Sequence, residues 1–330
     1  MNASNKNNVK WFRNAAPYIN AHRGKTFVLM FGGEAVLHPN FSNIIHDIAL
    51  LRSLGVKLVL VHGARPQIED RMQYRGVEQL FEKNIRITDS ETLAAVKDAT
   101  GSLRIHIEAL LTMGLINSPK HGAQIRVSTG NFVVAKPMGV HNGVDYKHTG
   151  TVRKIDAVGI NTQLDHESIV LLSPVGYSKT GEVFNLSTED VATQTAIALK
   201  ADKLITFTAF DGLLDGHNQL IRSCDLHTIK QLLNGSKRHK QYVALRAILN
   251  SVEGGVERCH SISYESDTAL LEELFTRDGA GTLIAKDVQE QISTATIDDV
   301  TGILELIEPL EEEGTLVKRS RELLEMEIGQ

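Results

Sequence analysis

Cysteine is scarce in this chain: Cys224 and Cys259 are the only two in 330 residues, far apart and without metal-ligand spacing. That argues against a disulfide-stapled secreted scaffold and suits a reducing cytoplasm. Long apolar runs are missing as well. No stretch approaches the roughly 20 consecutive apolar residues that cross a bilayer. The N-terminal "MNASNKNNVKWFRNAAPYINAHRGK" lacks the apolar core of a secretory leader. A cytoplasmic protein without membrane contact is expected. Positive charge is not in excess, since 35 Lys and Arg stand against 40 Asp and Glu for a net charge of -5. Without an overall basic field, nucleic acid is not the expected partner. Internal repeats and low-complexity segments are absent too. With 42% hydrophobic and 23% charged residues the chain is globular, and its length allows one large domain or two smaller ones.

What is present is alternation. "FVLMFGG", Phe27 to Gly33, reads as a buried strand running into two glycines. Ile44, Ile45, Ile48, Leu51 and Leu54 then recur at helical spacing, with Asn40 or Ser42 as cap and Gly55 as stop. "VKLVLVHG" is a second buried strand. Strand, helix and strand in so short a span make a βαβ unit, which requires parallel pairing and a right-handed crossover. The carboxyl ends at Gly32-Gly33 and Gly63-Ala64-Arg65 then share one sheet edge, where ligands bind in open α/β sheets. Two glycines after a strand can equally serve only tight packing.

Further along, "ETLAAVKDATGSLRIHIEALLTMG" is helical, and the glycine-punctuated segments over 123–140 and 143–156 alternate as hairpins do, extending the sheet or shading the cleft. "SIVLLSPVGYS" and "DKLITFTAFDG" read as strands, "LSTEDVATQTAIALKA" as a helix with an acid-rich start, and the segment over 242–263 as a last helix and strand. The expected class is α/β, a three-layer sandwich on a mainly parallel sheet. Four parts are expected: an oligomerising helix over 1–26, the sandwich over 27–286, a linker over 287–294 and a new strand-then-helix pattern over 295–330. The last part is too short to bury a core of its own.

The ordered segments FGGEAVL, LVLVHGARPQI, KNIRITD, SPVGYSKTGEVFNLSTEDVA, ADKLITFTAFDGLLD and LLEELFTRDGAGTLI resemble the amino-acid kinase domain of the bacterial N-acetylglutamate synthase family, over about residue 9 to the end. The resemblance implies an arginine-binding, kinase-like domain followed by a GNAT domain that transfers acetyl from acetyl-CoA to L-glutamate, with 295–330 the start of the latter. Against the related N-acetylglutamate kinases the cleft is altered. Met30 stands where they have a lysine, Gly63-Ala64-Arg65 where they have three glycines, Glu189 after Asn185 where they have an organising aspartate, and His217 where they have a second lysine. Phosphoryl transfer depends on positioning and charge neutralisation, so the cleft with Gly32 and Gly33 reads as vestigial and the chain as no active kinase.

Arg65 is then either a surface residue or an anion clamp. Arg86 is either a carboxylate ligand, as in the kinases, or the partner of Asp89. The resemblance places an arginine site between the N-terminal helix and the last helix and strand. There Glu273 would meet the guanidinium, the Gly279 to Gly281 amides the α-carboxylate, and Tyr18 the aliphatic stem. It also implies oligomerisation, up to a hexamer, through the stripe Trp11, Phe12, Ala15, Ala16 and Ile19. No cofactor is expected in this chain, because the CoA-holding turn R/Q-x-x-G-x-G/A is absent from its sequence. The chain is therefore either the regulatory part of such a synthase or an arginine-binding assembly module without activity.

Overall fold

The computed structural model describes residues 3–113, 125–214, 219–235 and 242–286, with residues 3–12 and 234–235 by backbone alone, and isolated positions from Val300 onward. The chain separates into two compact units, Met1–Val288 and Gln289–Gln330. Every element named below lies in the first. Helix α1 (Ala3–His22) leads into β1 (Thr26–Phe31), the short α2 (Gly33–Leu37), α3 (Phe41–Ser53) and β2 (Lys57–His62). After α4 (Arg65–Tyr74), the hairpin of β3 (Phe81–Glu82) and β4 (Ile85–Arg86) precedes the long α5 (Ser90–Thr112). Next come β5 (Val127–Ser128), β6 (Val133–Pro137), the hairpin of β7 (Val140–His141) and β8 (Val144–Asp145), β9 (Gly150–Ile155) and α6 (Ala157–Asp165). Then follow β10 (Ile169–Leu172), β11 (Val175–Tyr177), β12 (Val183–Asn185), α7 (Thr188–Leu199) and β13 (Lys203–Thr208). The unit closes with β14 (Leu213–Leu214), β15 (Leu220–Ile221), β16 (Ser223–Cys224), α8 (Leu226–Gly235), α9 (Tyr242–Glu253), β17 (Arg258–Ser263), α10 (Ala269–Phe275) and β18 (Thr282–Ala285).

The eight-stranded sheet runs β16-β18-β17-β13-β1-β2-β10-β5. β1 pairs in parallel with both β13 and β2, and only β18 runs against its neighbour β17. Five of the six residues in β1 and in β2 are buried, because helices cover both faces. Side chains alternate across the strand. Phe27, Leu29 and Phe31 therefore share one core with Ile44, Ile45 and Ile48 of α3, while Val28 and Met30 share the other with Val191 and Ala192 of α7. This is the expected three-layer sandwich.

One local expectation needs correction, and another is met in part. Asn40 occupies the N-cap position of α3 but makes no capping bond. Its side chain instead donates to Tyr264 O at 3.0 Å and accepts from Asn43 Nδ2 at 2.9 Å. The segments over 123–156 also divide. β5 extends the main sheet beside β10, whereas β6 and β9 join β11 and β12 in a separate four-stranded sheet ordered β12-β11-β6-β9. Gly150 permits that second sheet to close, since a Cβ there would lie 2.8 Å from both Lys136 O and Phe184 Cβ. Among the described residues no helix is long and apolar enough to cross a membrane.

Candidate functional site

The carboxyl edge of the main sheet opens into a cleft of about 920 Å³. Gly32 and Gly33 follow β1 there, and the Gly63 N–H, following β2, donates to Phe31 O at 2.7 Å. A Cβ on Gly63 would sit 3.1 Å from Gly32 Cα and 3.2 Å from Thr188 Oγ1, so both glycine loops and the start of α7 meet at this point. Met30 lines the cleft and is itself buried. Glu189 points its carboxylate at the Ser187 hydroxyl, 2.6 Å away. Asn185 donates to Thr88 Oγ1 at 3.0 Å. Thr206, paired in register with Met30 and also lining the cleft, has a buried hydroxyl with no partner. Among the described residues no group of three or more His, Cys, Asp or Glu could hold a metal ion.

Cations line the cleft through Arg65, Lys83 and Arg86. Arg86 is buried and held from several sides: Glu69 Oε1 at 3.1 Å, Gln79 Oε1 at 3.3 Å, and the Phe81 ring 4.6 Å from its guanidinium carbon. Its partner is thus Glu69 of α4 and not Asp89, whose carboxylate instead caps α5 by accepting from Thr92 N at 2.9 Å. Arg65 is more exposed, lies 3.8 Å from the same Glu69, and sits over the same Phe81 ring at 5.6 Å. His62 is fully buried, with Nε2 2.8 Å from Ser173 Oγ and Nδ1 3.1 Å from Gly63 O. Burial drives its pKa down to about 4, so the ring is neutral and structural at pH 7. His217 lies outside the described residues.

A second polar cluster is built where β13, β17, α10 and the turn before β18 converge. Glu273 is 4% exposed in its side chain, so the solvated helix face that a surface glutamate would occupy is not its environment. Its Oε1 is 2.6 Å from His260 Nδ1, and its Oε2 accepts from the Ala280 and Gly281 N–H groups, both at 2.8 Å. The other side of the His260 ring, Nε2, is 3.1 Å from Lys203 Nζ. Ammonium donates only, so Nε2 accepts, Nδ1 carries the hydrogen, and the chain reads Lys203 ammonium, neutral His260, Glu273 carboxylate. Burial brings Lys203 down to about 8 and His260 to about 4. Burial alone would raise Glu273; the hydrogen bonds from His260 and the two amides outweigh it and hold the carboxyl below its ordinary value.

Glu273, Gly279 and Gly281 are therefore together, but the amides assigned to a ligand carboxylate point elsewhere. Those of Ala280 and Gly281 serve Glu273, while that of Gly279 donates to Thr276 Oγ1 at 3.2 Å. Gly279 adopts φ +64°, which a glycine takes without strain. The end of α1 reaches the same place. His22 Nε2 donates to Leu274 O at 2.8 Å, and Tyr18 is half-buried against the core on that side of the sheet. Lys203, His260 and His22 were missed by sequence reasoning. The signal available for the first two was a polar side chain at an otherwise apolar strand position, on the face that Ile205 and Ile262 bury.

The amino acid kinase family model matches residues 25–260. An amino-acid acetyltransferase of Ectopseudomonas mendocina (strain ymp) is 57% identical over 98% of this chain and 74% of its own length. The chain belongs to the amino-acid acetyltransferase family. It spans about three-quarters of the length of such acetyltransferases, and its kinase-like fold occupies most of what it spans. N-acetylglutamate synthase of Neisseria gonorrhoeae, solved in complex with coenzyme A and L-arginine, superposes with a TM-score of 0.81 at 33% identity, over 97% of this chain and 74% of that one. Carbamate kinase of Giardia lamblia bound to AMP-PNP, at 16% identity and TM-score 0.57 over 80% of this chain and 99% of that one, shares the fold alone with this acetyltransferase-family chain.

Proposed function

We propose that this chain is the kinase-like, arginine-binding part of an N-acetylglutamate synthase, with 1–26 an assembly helix, 27–286 the effector domain, 287–294 a linker and 295–330 the beginning of the acetyltransferase portion. In the synthase reaction the glutamate amine attacks the acetyl thioester of acetyl-CoA. The new C–N bond replaces the C–S bond, CoA leaves as the thiol, and the amine gives up a proton. This chain's part is regulation. The observation that carries the reading is Glu273, a buried carboxylate held ready between His260 and the Ala280 and Gly281 amides beside the end of α1. A guanidinium is the planar, permanently charged partner that such a carboxylate accepts. Its arrival would free the turn amides for the α-carboxylate of L-arginine, and Tyr18 flanks the stem. The cleft, with Met30 in place of a cation, transfers no phosphoryl group.

Calorimetric titration of L-arginine, with lysine and acetyl-CoA as parallel titrants, tests this. Saturable binding of arginine with lysine silent is expected. Glu273→Gln should weaken it by about tenfold or more, the worth of a charge-assisted hydrogen bond. Arginine silence alongside acetyl-CoA binding would overturn both the effector site and the domain assignment. ATP turnover with acetylglutamate would overturn the vestigial cleft.

A further inference from the structure

A second cavity, of about 280 Å³, shares none of the lining residues of the first and includes Ser173, the partner of His62. One wall is a face of α5 carrying Lys97, Gly101 and Arg104, and the others include Gly130, Ser173 at the end of β10, and Tyr177 of β11. Positions i, i+4 and i+7 share a helix face. The seven-residue interval therefore separates the two cations by roughly 10 Å along the axis. Gly101 leaves the interval open, since a Cβ there would meet nothing within 4 Å. Arg104 is the second cation of that wall, and its side chain is part-exposed. Its Nε is buried and has no hydrogen-bond partner, and the Glu108 carboxylate, 3.6 Å away, is an ion-pair neighbour too distant to accept.

We propose that this cavity binds a small dicarboxylate of four or five carbons. One carboxylate meets the planar donors of Arg104 and the other meets Lys97, while the hydroxyl-bearing Tyr177 and Ser173 border the middle. A guanidinium presents a planar fork of donors that selects a carboxylate by geometry. The spacing of the cations selects two carboxylates over one: the length of such a diacid plus a hydrogen bond at each end comes to roughly the interval set by the helix rise. The inference is independent of the arginine site, which uses none of these residues.

The test titrates the full chain with succinate and glutarate, against acetate and sulfate at equal ionic strength. A diacid is expected to saturate one site about tenfold or more tighter than acetate. Arg104→Gln should cost at least about tenfold, and Arg104→Lys, which keeps the charge and loses the planar fork, should fall between. Lys97→Gln should weaken the diacid while leaving acetate unchanged, and Arg65→Gln should leave both unchanged. Thermal unfolding confirms that each variant is folded. Diacids binding no tighter than acetate would overturn the proposal, as would sulfate matching them. Loss of binding in Arg65→Gln with retention in Arg104→Gln would place the diacid in the larger cleft and overturn it equally.

Discussion

Asp47 sits on α3 with its Oδ2 buried and unpartnered. Burial, helped by the charge of Asp267, pushes its pKa up to about 7. A carboxyl whose folded pKa is raised holds its proton in the fold where the unfolded chain has already lost it. Its stabilising contribution is therefore present below the unfolded value near 4 and is lost as pH rises through 7. Asp47→Asn should consequently stabilise the protein at pH 8 by about 1–3 kcal/mol and do almost nothing at pH 3. Urea unfolding of both proteins at the two pH values decides it, and an equal difference at both would mean that ionisation of Asp47 is not what costs stability. At this scale the site was half legible. Glu273 and the Gly279 and Gly281 turn could be named from a family pattern. Lys203 and His260 could not, because burial of a charge chain depends on which strands become neighbours, and the β13–β17 pairing joins segments more than fifty residues apart.

Elements carry local rules that the sequence writes openly. α7 starts where a serine and two acids precede an apolar stripe, and in the fold Ser187 Oγ accepts from Asp190 N at 3.3 Å. Asp190 in turn accepts from Val152 N of β9 at 2.8 Å, so the first turn of α7 ties the main sheet's cover to the second sheet. Ser187→Ala should cost about 1 kcal/mol in urea unfolding, typical of a lost N-cap, and leave arginine binding unaltered. A stability within about 0.3 kcal/mol of the parent would show the cap to be idle. The same rule failed at Asn40, where a long-range bond to Tyr264 competes for the side chain. It could not see the four-stranded sheet at all. Short strands of two to six residues in that region carry too little periodicity to reveal which partner each will choose.

For the whole molecule the open question is what α1 does beyond its own subunit. The helix has twenty residues and is thus roughly 30 Å long. Among its described side chains, Ala15 is buried at 1% exposure and Tyr18 and Ile19 pack on the core, while His22 bonds the carbonyl next to Glu273. Pro17 lacks an N–H and so withholds one rung from the helix ladder, which marks a natural division between the anchored end and the stretch that carries Trp11 and Phe12 in the sequence. An aromatic pair on a helix end invites burial against a second copy of the chain. Trp11→Glu should therefore lower the mass in solution, measured by sedimentation with and without arginine, while calorimetry still finds the arginine site. The two halves separate because Trp11 lies eleven residues, or about three turns, from His22 and the cluster it touches. An unchanged mass would remove α1 from the assembly, and a lost arginine site with unchanged mass would mean that the far end of the helix belongs to the effector site instead.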